Sequence, residues 1–111
     1  MQQVNHTPKY LYRIVSIEQW QKSLLKNQVV NSSLDKDFIH LATEEQLARI
    51  AQKFWGNKDH IILKLVSQKL TGRLIYETNP GGTTLYYHLY EGNVPLNSVI
   101  EVSIIRAVNL N

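Results

Sequence analysis

Cysteine is missing from this 111-residue chain. That absence excludes a thiol nucleophile, a zinc finger, an iron–sulfur site and a disulfide framework. It also fits a reducing compartment, so a cytoplasmic location is expected. No apolar run reaches the ~18 residues of a membrane span, so no membrane partner is expected. Residues 1–8 lack the hydrophobic stretch of a secretory signal. A G-x-S-x-G elbow, a Walker loop and a G-x-G-x-x-G turn are lacking as well, and Gly81-Gly82 reads only as a turn. No repeat or low-complexity tract divides the sequence.

What is present is a modest positive balance: 12 Lys/Arg against 9 Asp/Glu, a net charge of +3. The basic residues are scattered rather than gathered in a stripe. This argues against a nucleic-acid surface and leaves room for a phosphate-bearing small ligand. One domain is expected at this length. A chain of this size buries roughly two-thirds of its unfolded surface without a metal or disulfide. Residues 1–9 read as a short polar lead-in and residues 10–111 as the domain. Nothing in the sequence speaks to oligomeric state.

Residues 10–15 are β-prone. Ser16 suits an N-cap with Glu18 in the first turn, and the helix behind it carries Trp20, Leu24 and Leu25 on one face as far as Asn27. Residues 29–37 read as a loop or short strand, with turn residues at Asn31-Ser32-Ser33 and Asp35-Lys36-Asp37, and Asn79-Pro80-Gly81-Gly82 is a loop signal. Residues 38–42 form a strand, and Thr43-Glu44-Glu45-Gln46 fits a capping box. Leu47, Ile50, Ala51 and Phe54 then repeat at helical spacing up to Gly56. Strands follow at 60–66, apolar enough to be central, and at 73–77 and 86–90. A long last strand spans 98–108, where Ile100, Val102 and Ile104 share a face expected to be core. Two main early helices and about six strands, mostly late, argue an α+β fold with a mainly antiparallel sheet rather than a doubly wound one.

Two strand segments each set a histidine among large apolar residues: Phe38-Ile39-His40-Leu41-Ala42 and Tyr86-Tyr87-His88-Leu89-Tyr90. Strand alternation puts Phe38, His40 and Ala42 on one face, opposite Ile39 and Leu41. It likewise puts Tyr86, His88 and Tyr90 opposite Tyr87 and Leu89. The aliphatic faces read as core. An imidazole offers a donor and an acceptor and titrates near neutral pH, and flanking rings can stack on a base or nicotinamide. Each histidine also fits a packed structural role. Tyr12, Trp20 and Trp55 read as packing residues, and His6 and His60 as surface or strand-start residues.

The ordered string Tyr12…Trp20…Ser33-Leu34…Phe38-Ile39-His40-Leu41…Thr43…Gln46…Phe54…Tyr76-Glu77…His88-Leu89-Tyr90…Val94-Pro95 resembles the family catalogued as domain of unknown function 952. The likeness runs over about residues 11–102. Its most specific parts are the FIHL-x-T-x-x-Q block and the HLY block followed by VP. The resemblance implies kinship with ADP-ribosyltransferase-like folds, among them the RNA 2′-phosphotransferases: a split, mainly antiparallel sheet with a cleft for NAD. The family's own activity is not established, and fold alone does not fix function. The chain departs from the family pattern at Arg13, Ala42, Tyr86-Tyr87 and Glu91.

On this resemblance and the two histidine-bearing faces together, Glu77 and His40 are the catalytic candidates, and Arg13, Thr43, His88 and Tyr90 the ligand-binding ones. Glu77 would stabilise an oxocarbenium-like charge at a ribose. Arg13 could grip a phosphate bidentately. The helix start at Thr43 would add N–H groups for an anion near His40. The expected partner is a small nucleotide-like ligand, NAD or an ADP-ribose derivative, met by a transferase or glycohydrolase. Two alternatives stay open. One is a non-enzymatic binding or interaction module with a degenerate cleft, since no Glu-x-Glu or Gln-x-Glu pair is present and Ala42 lacks a hydroxyl. The other is a His40/His88/Glu77 metal site. No close His-x-His pair supports it, so no metal is expected.

Overall fold

The structure, a computed structural model, describes residues 6–107. Residues 1–5 of the lead-in and Val108, the expected end of the last strand, lie outside the described residues. In chain order the elements are β1 (Tyr10–Val15), α1 (Ile17–Lys26), β2 (Gln28–Val29), β3 (Ile39–Leu41), α2 (Leu47–Trp55), β4 (His60–Val66), β5 (Arg73–Thr78), β6 (Leu85–Tyr90), β7 (Val94–Pro95) and β8 (Val99–Ile105). Short 3-10 turns occupy Glu44–Gln46, Ser67–Lys69 and Leu96–Ser98.

The strands form two three-stranded sheets, ordered β1-β4-β8 and β3-β6-β5, and a small β2-β7 pair. All pairings are antiparallel. One bridge stitches the two larger sheets together: Tyr12 N–H donates to Ala42 O at 2.8 Å and Ala42 N–H to Tyr12 O at 2.9 Å. Among the described residues the fold is therefore α+β and mainly antiparallel, with two helices, as expected.

The core sits between the larger sheets. Leu11 and Val15 of β1 and Ile61, Leu63 and Leu65 of β4 meet Ile39 and Leu41 of β3 and Tyr87 and Leu89 of β6, with Ile17 and Trp20 of α1 packed against them. Period-two alternation sends these aliphatic side chains inward and leaves the two histidines on the far face of the second sheet. α1 starts where the sequence predicts: Gln19 N–H donates to Ser16 Oγ at 3.0 Å and Ser16 N–H to Gln19 Oε1 at 2.8 Å, a reciprocal cap. Asn27, at φ 56°, ends it. The chain crosses itself tightly where β5 begins and β6 ends. A Cβ on Gly92 would lie 1.8 Å from the Thr71 carbonyl, and one on Gly72 2.3 Å from the Tyr90 carbonyl.

One expectation is corrected. Ile100, Val102 and Ile104 are 50%, 41% and 57% exposed rather than core. Val102 and Ile104 do pair in register with Leu63 and Ile61, but β8 is an edge strand and the cover over β1 and β4 thins out there. Leu24 and Leu25 face solvent, since only Ile17 and Trp20 of α1 pack on the core. The apolar stripe of α2 has no buried residue and Phe54 is exposed. His60 begins β4, as the strand-start reading has it, and is buried there: its ring tilts against Trp55, and its Nδ1 lies 2.9 Å from the Lys58 carbonyl.

Candidate functional site

The two histidine-bearing faces predicted from sequence are one face of one sheet. β3 and β6 pair so that His40 stands directly opposite His88, with ring centroids 5.5 Å apart. Phe38 stacks on His88 at 3.9 Å and leans on His40 at 4.8 Å. It thus separates two different environments.

His88 is fully buried. Its Nδ1 lies 2.8 Å from Glu77 Oε2, and its Nε2 lies 2.8 Å from Asn79 Oδ1. Tyr90 OH donates to the same Glu77 oxygen. These bonds hold the Glu77 carboxyl below its ordinary range, the Tyr90 hydroxyl first and the His88 ring second. The same bond raises the Tyr90 phenol. Register explains the cluster: on β5, Glu77 is opposite Tyr86 and shares its face with Ile75, which pairs with His88.

His40 is held differently, and its side chain is 42% exposed. Its Nδ1 lies 3.1 Å from Asp35 Oδ1, and its backbone N–H donates to the same oxygen at 3.2 Å. Asp35 Oδ2 accepts from Ser32 N–H at 2.8 Å, from the Ser32 hydroxyl at 3.1 Å and from Arg13 Nη2. Arg13 Nη1 also donates to the His40 carbonyl at 3.1 Å. Burial pushes the Asp35 carboxyl up, but the His40 bond, the Arg13 charge and the Ser32 N–H overcome it and hold it well below the usual carboxylate range. The Arg13 fork is therefore filled by a carboxylate of its own chain.

Beside His40 opens a cavity of about 420 Å³. Its walls come from β1 (Tyr12, Arg13), the loop before β3 (Ser32, Asp35), His40 on β3, and the apolar stripe of α2 (Ile50, Phe54), with Asn79 and Tyr86 closing one side. The stripe that a helix would normally bury faces this space, which is why Phe54 remains exposed.

Among the predicted residues, His40 and Arg13 line the cavity. Glu77, His88 and Tyr90 form the adjoining network and meet it through Asn79, which bonds His88 and also lines the cavity, and through the ring contact of His88 with His40. Thr43 does not line it; its N–H donates to Gln46 Oε1 at 3.1 Å, tying down the turn ahead of α2. Asp35 and Asn79 were not foreseen. Asp35 read as a turn residue, and Asn79 as part of the loop signal Asn79-Pro80-Gly81-Gly82. Among the described residues no set of three His, Asp or Glu side chains is arranged to hold a metal ion. Of the His40/His88/Glu77 set, both ring nitrogens of His88 already face partners within the chain, Glu77 and Asn79.

The family described as "Protein of unknown function (DUF952)" matches residues 14–102. The chain belongs to this family. It is similar to the crystal structure of protein CC0527 from Caulobacter crescentus, with 24% identity and a TM-score of 0.74 over 86% of this chain and 84% of that one. The solution structure of CC0527 gives 25% identity and a TM-score of 0.71 over the same shares. These likenesses bear on the fold. No curated protein matches the chain.

Proposed function

We propose that the cavity beside His40 binds a small nucleotide-like ligand, NAD or an ADP-ribose derivative, in an ADP-ribosyltransferase-like fold. The observation that carries the reading is the cavity itself. Its volume of about 420 Å³ is in the range of small-molecule sites, with an apolar helix stripe on one wall and a half-exposed imidazole on another. Phe54 and Tyr86 offer ring faces for a planar base, and Ser32, Asn79 and the His40 imidazole offer polar contacts for a ribose or phosphate. The split antiparallel sheet supports the same reading. In it, His40 is the acid–base group, and Glu77 with Tyr90 anchors His88 behind the cavity wall.

A second reading is favoured by one observation. Glu77 and Arg13, the charges a transferase would direct at its substrate, are both occupied by partners within the chain. A binding module without turnover would look the same. Titration of labelled protein with NAD, ADP-ribose and AMP, followed by amide shifts, tests the site. Shifts centred on residues 32–40 and 50–54 are expected. No shift there at millimolar ligand would overturn the binding reading. Release of nicotinamide from NAD, lost in His40→Ala, would exclude the module without turnover.

A further inference from the structure

We infer that Asp35, itself clamped by Arg13, is the positioning residue of His40: it fixes the proton on Nδ1 and presents Nε2 to the cavity as a bare acceptor. The inference builds on the reading of the cavity as a working site, but its test does not depend on the ligand.

The argument starts from what the carboxylate can do. An ionised aspartate only accepts hydrogen bonds. With Asp35 Oδ1 at 3.1 Å, the His40 Nδ1 must carry a proton for the contact to be favourable. A neutral imidazole has one N–H, so Nε2 is left with its lone pair. Among the described residues Nε2 has no protein partner, and His40 lines the cavity. The proton acceptor of the pair is therefore turned toward whatever occupies that space.

The clamp is stiffer than one hydrogen bond. Asp35 holds both the ring and the backbone N–H of His40. Arg13 holds the other side of the same residue through its carbonyl. Arg13 and the Asp35 side chain are 5% and 1% exposed, so little water competes for these contacts. Ser32 caps the remaining oxygen. Each donor around the carboxylate keeps it ionised, and only the ionised form imposes this tautomer. An aspartate backed by an arginine orients a histidine as carboxylates orient catalytic and metal-binding imidazoles elsewhere. The choice of Asp over Asn follows. Both carboxylate oxygens face donors: Oδ2 meets Ser32 and Arg13 Nη2, and Oδ1 meets the His40 backbone N–H and, at 3.4 Å, Arg13 Nη1. An asparagine must turn its N–H₂ against one of these sets, so it cannot hold the Nδ1 proton as the carboxylate does.

Long-range ¹H–¹⁵N spectra of the ring nitrogens in the ligand-free wild type decide the matter. At pH above the imidazole titration, His40 is expected to show a protonated Nδ1 and a bare Nε2. The opposite pattern, or an averaged one, would overturn the inference. In Asp35→Asn the preference for a proton on Nδ1 is expected to be lost, while the backbone amide spectrum outside residues 12–14 and 30–42 is kept. An unchanged tautomer in that variant would also overturn it. The wild-type reading stands if the variant does not fold. Nucleotides that fail to bind, with the Nδ1–H tautomer present, would remove the ligand class and leave the positioning role supported.

Discussion

At the scale of single residues, Asp35 ties stability and site together. Removing one partner of a buried ion pair typically costs about 3–5 kcal/mol, because the other charge is stranded. Asp35→Ala leaves the buried Arg13 guanidinium without its carboxylate and frees the loop that presents His40. For a domain whose whole stability is about 5–15 kcal/mol, that is a large share. The pH dependence has a definite sign. The folded-state carboxyl lies below its unfolded value, so its contribution is complete above the unfolded pKa of about 3.9 and declines as pH falls below it. Urea midpoints measured between pH 7 and pH 3 should show the gap between wild type and Asp35→Asn narrowing below about pH 4. A gap that is constant or widens on acidification would contradict this account.

At the scale of elements, exposure separates two apolar strands that look alike in sequence. Leu63 on β4 is 0% exposed, and Val102, its cross-strand neighbour on β8, is 41% exposed. Leu63→Ala should therefore cost about 2–5 kcal/mol, as core truncations do. Val102→Thr should stay within about 0.5 kcal/mol, as surface substitutions do. Chemical denaturation of both variants checks this, and a large loss at Val102 would mean that β8 is covered in solution. Periodicity identified β8 as a strand but could not tell an inner face that is covered from one that is not, because cover is supplied by other elements. α2 shows the same limit: its stripe was legible, while the empty space it faces was not. The cap of α1 and the span of β1 were legible because both depend on neighbours in sequence. The facing of His40 and His88 needed the β3–β6 register, which sequence alternation does not fix. Asp35 was invisible for a third reason. A turn aspartate has many local uses, and only the 22-residue reach to Arg13 gives this one its role.

At the scale of the whole molecule, the cavity opens beside the seam where the two larger sheets are joined by the Tyr12–Ala42 bridge. Tyr12 and Arg13 on one side of that seam and His40 on the other both line it, so an occupant touches both halves of the fold. A ligand that binds only the folded state at 100 times its Kd stabilises it by about 2.7 kcal/mol. For a domain of this size that corresponds to a rise in Tm of roughly 10 °C. Phe54 gives the control, since it is 56% exposed and lines the cavity without joining the core. Phe54→Ala should leave the ligand-free Tm within a few degrees of wild type and sharply reduce the ligand-induced rise. Ile104→Thr, on the edge strand away from the cavity, should leave that rise unchanged. Thermal melts of the three proteins with and without saturating nucleotide make the comparison. An equal ligand-induced rise in wild type and Phe54→Ala would place binding elsewhere on the molecule.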